Sequence, residues 1–196
     1  GGKDYLGVQM VVVPEGNGMD SYAIGKYEFS YADLWKFCGI SGWCSDAFKS
    51  EVRNLAKNSG DEPVTRLDLS YVELIAQWMS QRTGRTYRLP TAEEWEYAAM
   101  AGGEQPSKKD YNCRLVLDGE VVKGHGLMSV KTGSQNGWGL FGYLGNAQEW
   151  VITGGRTTVR GGSYQTTFSK CGIELDEPHS GRQDGATGFR FVREMN

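Results

Sequence analysis

The chain has 196 residues, of which 39% are hydrophobic and 12% aromatic, and its formal net charge is -3. These values predict one globular domain over residues 1–196 and exclude a disordered or fibrous chain. The acidic balance and the absence of a Lys/Arg cluster exclude an extended nucleic-acid-binding surface, so we expect no nucleic-acid partner.

The ends of the sequence bear on membrane attachment. No apolar run approaches the roughly 18 residues that a membrane-spanning helix needs. The chain begins with Gly1 and Gly2 rather than methionine. We therefore expect an excised domain that contacts a membrane only through a flanking segment absent from this sequence.

The first 40 residues predict two strands and a short helix. Residues 9–14 form an apolar strand that ends at a proline, and residues 22–29 have the aromatic, alternating content of a second strand. Ser30 is predicted to cap a helix that runs through Cys38. The candidates for its buried side are Leu34, Trp35, Phe37 and Cys38.

Two further helices carry the strongest local signals. Ser70 and Glu73 have the spacing of a capping box at the start of a helix over residues 70–83, which Gly84 would end. Its apolar face comprises Leu74, Ile75, Trp78 and Met79. Thr91 and Glu94 repeat the capping box for a helix over residues 91–101. That helix would bury Trp95, Ala98 and Ala99.

The second half of the chain is dominated by turns. Residues 113–122 are predicted to form a hairpin around an Asp118-Gly119 turn. The chain contains 28 glycines but only 5 prolines, which favours tight turns with positive φ. About half of the residues are therefore expected to lie in loops.

The four cysteines are Cys38, Cys44, Cys113 and Cys171. No Cys-x-x-Cys pair or histidine cluster accompanies them, so a structural zinc site is not indicated. Four reduced core cysteines remain an alternative. We expect disulfides between Cys38 and Cys44 and between Cys113 and Cys171, and hence an oxidising compartment, the periplasm or the cell surface.

Four motifs occur in series: YRLPTAEEWEYAA (87–99), NGWGLFGYLGNAQEW (136–150), VRGGSY (159–164) and GFRF (188–191). Together they resemble the formylglycine-generating enzyme (sulfatase-modifying factor) family, a branch of the C-type-lectin-like folds. The resemblance implies an α+β fold with two main helices and short antiparallel strands. Because this fold carries both oxidases and binding proteins, the residues that depart from the family pattern become informative.

The family's copper site is incomplete in this chain. Active members place two copper-binding cysteines five positions apart after the Arg-Gly-Gly-Ser motif, and soft Cu(I) suits two thiolates. The corresponding positions here are Thr166 and Cys171. The family's tryptophan is Gln148, and Ser163 alone is retained. We therefore expect no copper, although an oxidase that uses Cys171 with other ligands remains an alternative.

Calcium is the metal that the resemblance favours. The family holds it with backbone carbonyls and a glutamate, at positions matching Gly145, Ala147 and Glu149. One departure is Gly142, where the family has asparagine. In the alternative, Glu149 hydrogen-bonds the turn. A second family calcium site would begin at Asn112, but its aspartate has no clear counterpart.

Other chemistry is weakly indicated. The two histidines, His125 and His179, are too few for a non-haem iron centre and are interpreted as loop and surface residues. Ser163 with His179 and Asp184 lacks a recognisable triad context, so a backbone-bonding role in a turn is preferred. The carboxylate pairs Glu93-Glu94 and Asp176-Glu177 are interpreted as capping and solvated residues rather than a glycosidase pair. Trp138, Trp150 and Tyr164 form either a sugar-stacking shelf or, preferably, part of the core.

These observations lead to a non-catalytic, extracytoplasmic sensor or display domain that binds a protein or glycan through residues 165–187. The candidate contact residues are Gln165, Thr167, Phe168, Lys170, Glu174, Asp176, His179, Arg182 and Asp184. Related domains occur in membrane-bound kinases, in secretion regulation and in diversity-generating retroelement systems. The alternatives are the metal-dependent oxidase and an assembly subunit of an envelope complex.

Overall fold

The computed structural model describes residues 6–103 and 106–196. Its helices are α1 (Tyr31–Ser41), α2 (Asp46–Ser59), α3 (Leu69–Thr83) and α4 (Ala92–Met100). Its strands are β1 (Met10–Val13), β2 (Tyr22–Gly25), β3 (Tyr87–Arg88), β4 (Leu115–Leu117), β5 (Glu120–Lys123), β6 (Gln148–Thr153), β7 (Arg156–Arg160), β8 (Asp176–Pro178), β9 (Thr187–Gly188) and β10 (Val192–Glu194). Across the described ranges, no helix is both long and apolar enough to cross a membrane.

Two four-stranded sheets and a hairpin make up the β structure of the described residues. The first sheet has the order β1-β2-β10-β3, and all of its pairs are antiparallel. The second has the order β8-β7-β6-β9, in which only the short pair of β6 with β9 is parallel. This arrangement confirms the α+β architecture with short, mainly antiparallel strands.

The core lies where the helices pack against these sheets. One cluster combines Phe37 of α1 and Ile75 of α3 with Trp150 and Phe189. A second cluster places Trp95 of α4 against the central strands of the first sheet. Trp95, Trp150 and Phe189 are fully buried, and each belongs to a different one of the four motifs. Packing in these clusters therefore joins motifs that are far apart in the sequence.

Several local expectations are confirmed. Ser30 caps α1 as expected, and Thr91 forms the expected capping box with Glu94 at the start of α4. At Ser30 the Asp33 side chain completes a second capping box that was not predicted. Gly84 ends α3 in the left-handed conformation. The β4–β5 hairpin turns at Asp118 and Gly119, whose φ values are 52° and 80°.

The predicted capping box at Ser70 is wrong. Helix α3 begins one residue earlier, at Leu69, and its N-cap is Asp68, whose side chain makes no cap hydrogen bond. The Leu69 amide donates instead to the Gly181 carbonyl (2.7 Å), and the Asp68 carboxylate accepts from the Gln183 amide (2.9 Å). A distant loop therefore replaces local capping.

The second strand is shorter than predicted and stops at Gly25 rather than at residue 29. Beyond this point the chain bonds to the last motif, with the Gly25 amide donating to the Phe191 carbonyl and the Phe29 amide to the Phe189 carbonyl. Residues 26–29 thus lie outside the strand, and Glu28 among them is buried.

Helix α2 was not predicted. Its signals are the N-cap Ser45 and the spacing of Phe48, Val52 and Ala56, which places all three on one face. Only Val52 of this polar helix is fully buried. A largely exposed helix has few apolar residues at helical spacing, so the sequence pattern of α2 is weaker than the patterns of α3 and α4.

Both expected disulfides are present. Cys38 pairs with Cys44 and links the end of α1 to the segment before α2. Cys113 pairs with Cys171 across 58 residues and joins the start of the hairpin region to the C-terminal loop, residues 165–187. The second bond therefore anchors the segment that was predicted to contact a partner.

Candidate functional site

The position of the family's copper pair is occupied by a turn and a disulfide. Thr166 accepts a hydrogen bond from the Ser163 amide through its hydroxyl (2.9 Å), and the Ser163 hydroxyl accepts from the Gln165 amide (3.1 Å). Cys171 is bonded to Cys113. Because Cu(I) is held by thiolates and neither position supplies one, these residues do not fit a copper centre.

Two motif glycines make room for this disulfide. A Cβ atom on Gly145 would lie 2.7 Å from the Cys113 sulfur, and one on Gly162 would lie 2.7 Å from the Cys171 sulfur. Both glycines also have positive φ, of 73° and 70°. The Gly-Asn and Arg-Gly-Gly-Ser motifs thus pack directly on the cross-link.

The carboxyl group expected to hold calcium is instead buried against a guanidinium. Arg190 donates to both oxygens of Glu149, from Nε at 2.6 Å and from Nη2 at 2.8 Å, and Trp95 Nε1 donates at 3.0 Å. The Glu149 side chain is 1% exposed. Both of its oxygens are therefore engaged by nitrogen donors.

Glu28 lies beside Gly142, the position where the family has an asparagine ligand. An added Cβ on Gly142, where the family has asparagine, would lie 3.2 Å from Glu28 Oε1. Glu28 also accepts from the Ala147 amide (3.2 Å). Within residues 6–103 and 106–196, no three His, Cys, Asp or Glu side chains form a group able to hold a metal. Because Arg190 and Trp95 engage the Glu149 carboxylate, the one side-chain ligand of the implied set does not fit a calcium ion, which prefers six to eight oxygen ligands.

Glu28 and Arg190 are buried ionisable groups beside Glu149, and each affects the pKa of the other. Burial raises the pKa of Glu28 well above its usual range, and the nearby Glu149 raises it further against the opposing effect of Arg190. Burial alone would lower the pKa of Arg190, but Glu149 and Glu28 outweigh it and raise that pKa. The guanidinium therefore stays charged beside two carboxyl groups.

Asn146 ties this centre to the surrounding loops and was missed by the sequence analysis. Its amide nitrogen donates to Glu28 Oε1 (2.9 Å), and its amide oxygen accepts from Asn112 Nδ2 and from the Met128 amide. It is buried and has a φ of 65°. The available signal was an asparagine after glycine in a tight turn, a position that favours the left-handed region.

The C-terminal loop presents most of its predicted contact residues to solvent. The exposed ones are Gln165, Thr167, Lys170, Glu174, Asp176, Arg182 and Asp184, whereas Phe168 and His179 are partly buried. The Phe168 ring packs against Tyr111, 5.8 Å between centroids. Strand β8 pairs with β7, so Asp176 is held beside Arg160 (3.7 Å). The loop is thus a fixed surface with mixed charge.

His179 is not the surface residue that was expected, since its side chain is only 11% exposed. Its Nδ1 accepts from Trp150 Nε1 (3.0 Å) and from the Gly181 amide (2.9 Å). An acceptor at Nδ1 assigns the proton to Nε2, which then donates to Asp184 Oδ2 (2.7 Å). His179 therefore links the core to the loop.

Asp184 and Thr187 complete this network. Burial tends to raise the pKa of Asp184, but hydrogen bonds from His179, the Ala186 amide and Thr187 lower it overall. Gln148 donates to the Thr187 hydroxyl (2.8 Å). Ser163 has its own bonds within the turn at 163–166, so the structure does not join it to His179 and Asp184 in a triad.

The aromatic shelf is not assembled. Trp150 is buried in the core at 1% exposure, and Trp138 packs on Tyr97 with 5.0 Å between ring centroids. The core interpretation of these aromatics is confirmed for Trp150.

Comparisons with known proteins agree with this architecture. Residues 13–195 match the sulfatase-modifying factor enzyme 1-like domain. PvdO from Pseudomonas aeruginosa is similar in structure, with a TM-score of 0.69, 18% identity, and coverage of 96% of this chain and 92% of that one. For Treponema denticola variable protein 1 the values are 0.69, 16%, 95% and 92%, and for CarF they are 0.68, 20%, 100% and 96%. No protein of curated function shows a significant sequence match.

Proposed function

Because the chain belongs to the sulfatase-modifying factor enzyme 1-like family yet has Thr166 and a disulfide where the resemblance implies copper cysteines, we propose that it is a non-catalytic binding domain. It acts outside the cytoplasm, in the periplasm or at the cell surface, where its two disulfides persist. Its contact surface is the C-terminal loop. The ligand is a protein.

The observation that carries this proposal is the combination of exposed side chains and fixed backbone in that loop. Cys171 anchors its first half to Cys113, and His179 anchors its second half to Trp150. A loop held in this way loses little conformational entropy on binding. Recognition by such loops on a rigid scaffold is common in folds of this kind.

The composition of the surface favours a protein over a glycan. Lys170 and Arg182 supply two positive charges, while Glu174, Asp176, Glu177 and Asp184 supply four negative ones. Charge complementarity of this mixed type selects protein partners and sets the association rate. Sugar recognition commonly uses exposed aromatic rings, and the one fully buried member of the predicted shelf, Trp150, cannot serve in this way.

Charge reversal within the loop tests the proposal. A Lys170→Glu/Arg182→Glu protein is compared with an Arg53→Glu/Lys57→Glu protein, which makes the same charge change on the exposed face of α2. Each is immobilised and exposed to an envelope extract of the source organism, and retained proteins are identified by mass spectrometry. We expect a protein that is retained by the wild type and the α2 variant but lost by the loop variant. Identical retention by all three would contradict the proposal.

A further inference from the structure

A cavity of about 480 Å³ lies beneath the β4–β5 hairpin, apart from the exposed residues of the C-terminal loop. Its walls come from residues 109–112, the last two residues of β5, the segment 124–128 and Thr132-Gly133. This volume falls within the range of small-molecule sites, roughly 300–1,000 Å³. The chemistry of its lining indicates what it accepts.

Apolar side chains form much of the lining. Val122 and Met128 are each 45% exposed, and Tyr111 and Leu127 lie beside them. Covering large apolar side chains that are in contact with water favours binding in proportion to the apolar area covered. An apolar or aromatic body is therefore the favoured occupant of the cavity beside these side chains.

Charged groups line the same cavity. Lys123 donates two of its three N–H groups to the carbonyls of Lys108 (3.2 Å) and Lys109 (2.7 Å), and its ammonium nitrogen lies 5.6 Å from the centroid of the Phe168 ring. Lys109 has no ion-pair partner in the described part of the chain. Asp110 is the one acidic residue among the lining residues, so the lining is net positive although the chain's net charge is -3. An anionic group is therefore preferred.

Hydrogen bonds between the walls hold the cavity open. Asn112 Nδ2 donates to the Gly126 carbonyl (3.0 Å), and the Met128 amide donates to Asn146 Oδ1 (2.8 Å). Lys123 ties β5 to the turn at 108–110. A ligand meets a cavity that is already formed, so little ordering of the protein opposes its binding.

We propose that this cavity binds a small amphipathic carboxylate, with its apolar body against Val122, Leu127 and Met128 and its carboxylate at Lys109 and Lys123. The proposal does not depend on the protein-binding function proposed above, and the cavity adjoins that surface, since Tyr111 and Lys123 of its lining both contact the Phe168 ring. The chemistry is shared by a free aromatic or branched acid and by the C-terminal carboxylate of a peptide that ends in an apolar residue.

The test uses 4-phenylbutyrate, its uncharged amide and 4-phenylbutylamine, with amide resonances of the ¹⁵N-labelled chain as the readout. We expect saturable shifts at residues 109–128 with the acid, and about three- to fivefold weaker binding of the amide. Val122→Glu should abolish these shifts, whereas Val116→Glu, the same change on the hairpin but outside the cavity lining, should leave them unchanged. Lys109→Ala should remove most of the preference for acid over amide.

A further arm separates the two ligand sources. Tighter binding of N-acetylphenylalanine than of 4-phenylbutyrate identifies a peptide end as the occupant, and weaker binding identifies a free acid. Equal affinity for the acid and the amine, shifts centred outside residues 109–128, or identical effects of the two valine substitutions would each overturn the site.

Discussion

The Arg190 guanidinium donates hydrogen bonds to both carboxylate oxygens of Glu149 in the interior of the molecule, and neither side chain is more than 1% exposed. Arg190 also donates to the carbonyls of Gly25, Lys26, Phe141 and Gly142. The last motif, GFRF, is thereby joined to the Gln-Glu-Trp segment and to the turn before it. Glu149 and Arg190, which both lie in motifs shared with the enzyme family, hold separate loops together in this structure.

Removing either partner of this pair should be strongly destabilising. Arg190→Met leaves the Glu149 carboxyl buried without its counter-charge and with only the Trp95 indole as a donor, so we expect a loss of about 3–5 kcal/mol in the free energy of unfolding. The double variant Glu149→Leu/Arg190→Met should lose less than the sum of the single changes, because neither member of this pair is then left as a buried charge without the other. Urea denaturation measures all three. Additive losses would show that the two side chains act separately.

Glu28 should make the fold less stable as pH rises. Its pKa is raised in the folded state by burial and by Glu149, so over the affected range the folded chain binds more protons than the unfolded chain. The contribution of Glu28 to the free energy of unfolding is therefore complete below the unfolded pKa of about 4.3. Above that pH the contribution falls by at most about 1.4 kcal/mol per pH unit, until the pKa of the folded state is reached. Subtracting the unfolding free energy of Glu28→Gln from that of the wild type isolates this contribution. A difference that is constant or grows with pH would refute the assignment.

Calcium should have little effect on stability. Glu149 is bonded to Arg190 and Trp95, and Glu28 approaches the space beside Gly142. We expect the melting temperature to be the same in EDTA and in excess calcium, since a ligand stabilises only the state that binds it. A calcium-dependent rise that is abolished by Glu149→Gln would restore the metal site implied by the family resemblance.

His179→Phe should loosen the second half of the C-terminal loop. The phenyl ring keeps the approximate shape of imidazole but leaves Trp150 Nε1 and the Gly181 amide without their acceptor. An unsatisfied buried donor costs about 1–3 kcal/mol, so hydrogen exchange at Gly181 and at the Trp150 indole should accelerate. His125→Phe, in an exposed loop, is the matched control. Equal exchange in both variants would mean that His179 does not anchor the loop.

Features that depend on neighbouring residues in the sequence were largely predictable. The Thr91–Glu94 capping box and the Asp118-Gly119 turn require only local geometry, and both are present. The start of α3 was predicted wrongly because its first amide bonds to Gly181, more than 100 positions away. Glu28 likewise gains its environment from Asn146 and Arg190, which no local pattern connects to it.

The central claim, that the family's copper centre has become a structural cross-link, is tested most directly at Cys171. In the chain-entropy description, a bond closing 58 residues stabilises the fold by about 4 kcal/mol, which gives this disulfide a structural purpose. The measurement is mass spectrometry of peptides from the natively isolated, unreduced protein after alkylation, followed by Cu(I) titration. We predict a cross-linked Cys113–Cys171 peptide and no stoichiometric copper. Alkylated Cys171, together with one tightly bound Cu(I) per chain and oxygen consumption with a thiol peptide, would contradict it.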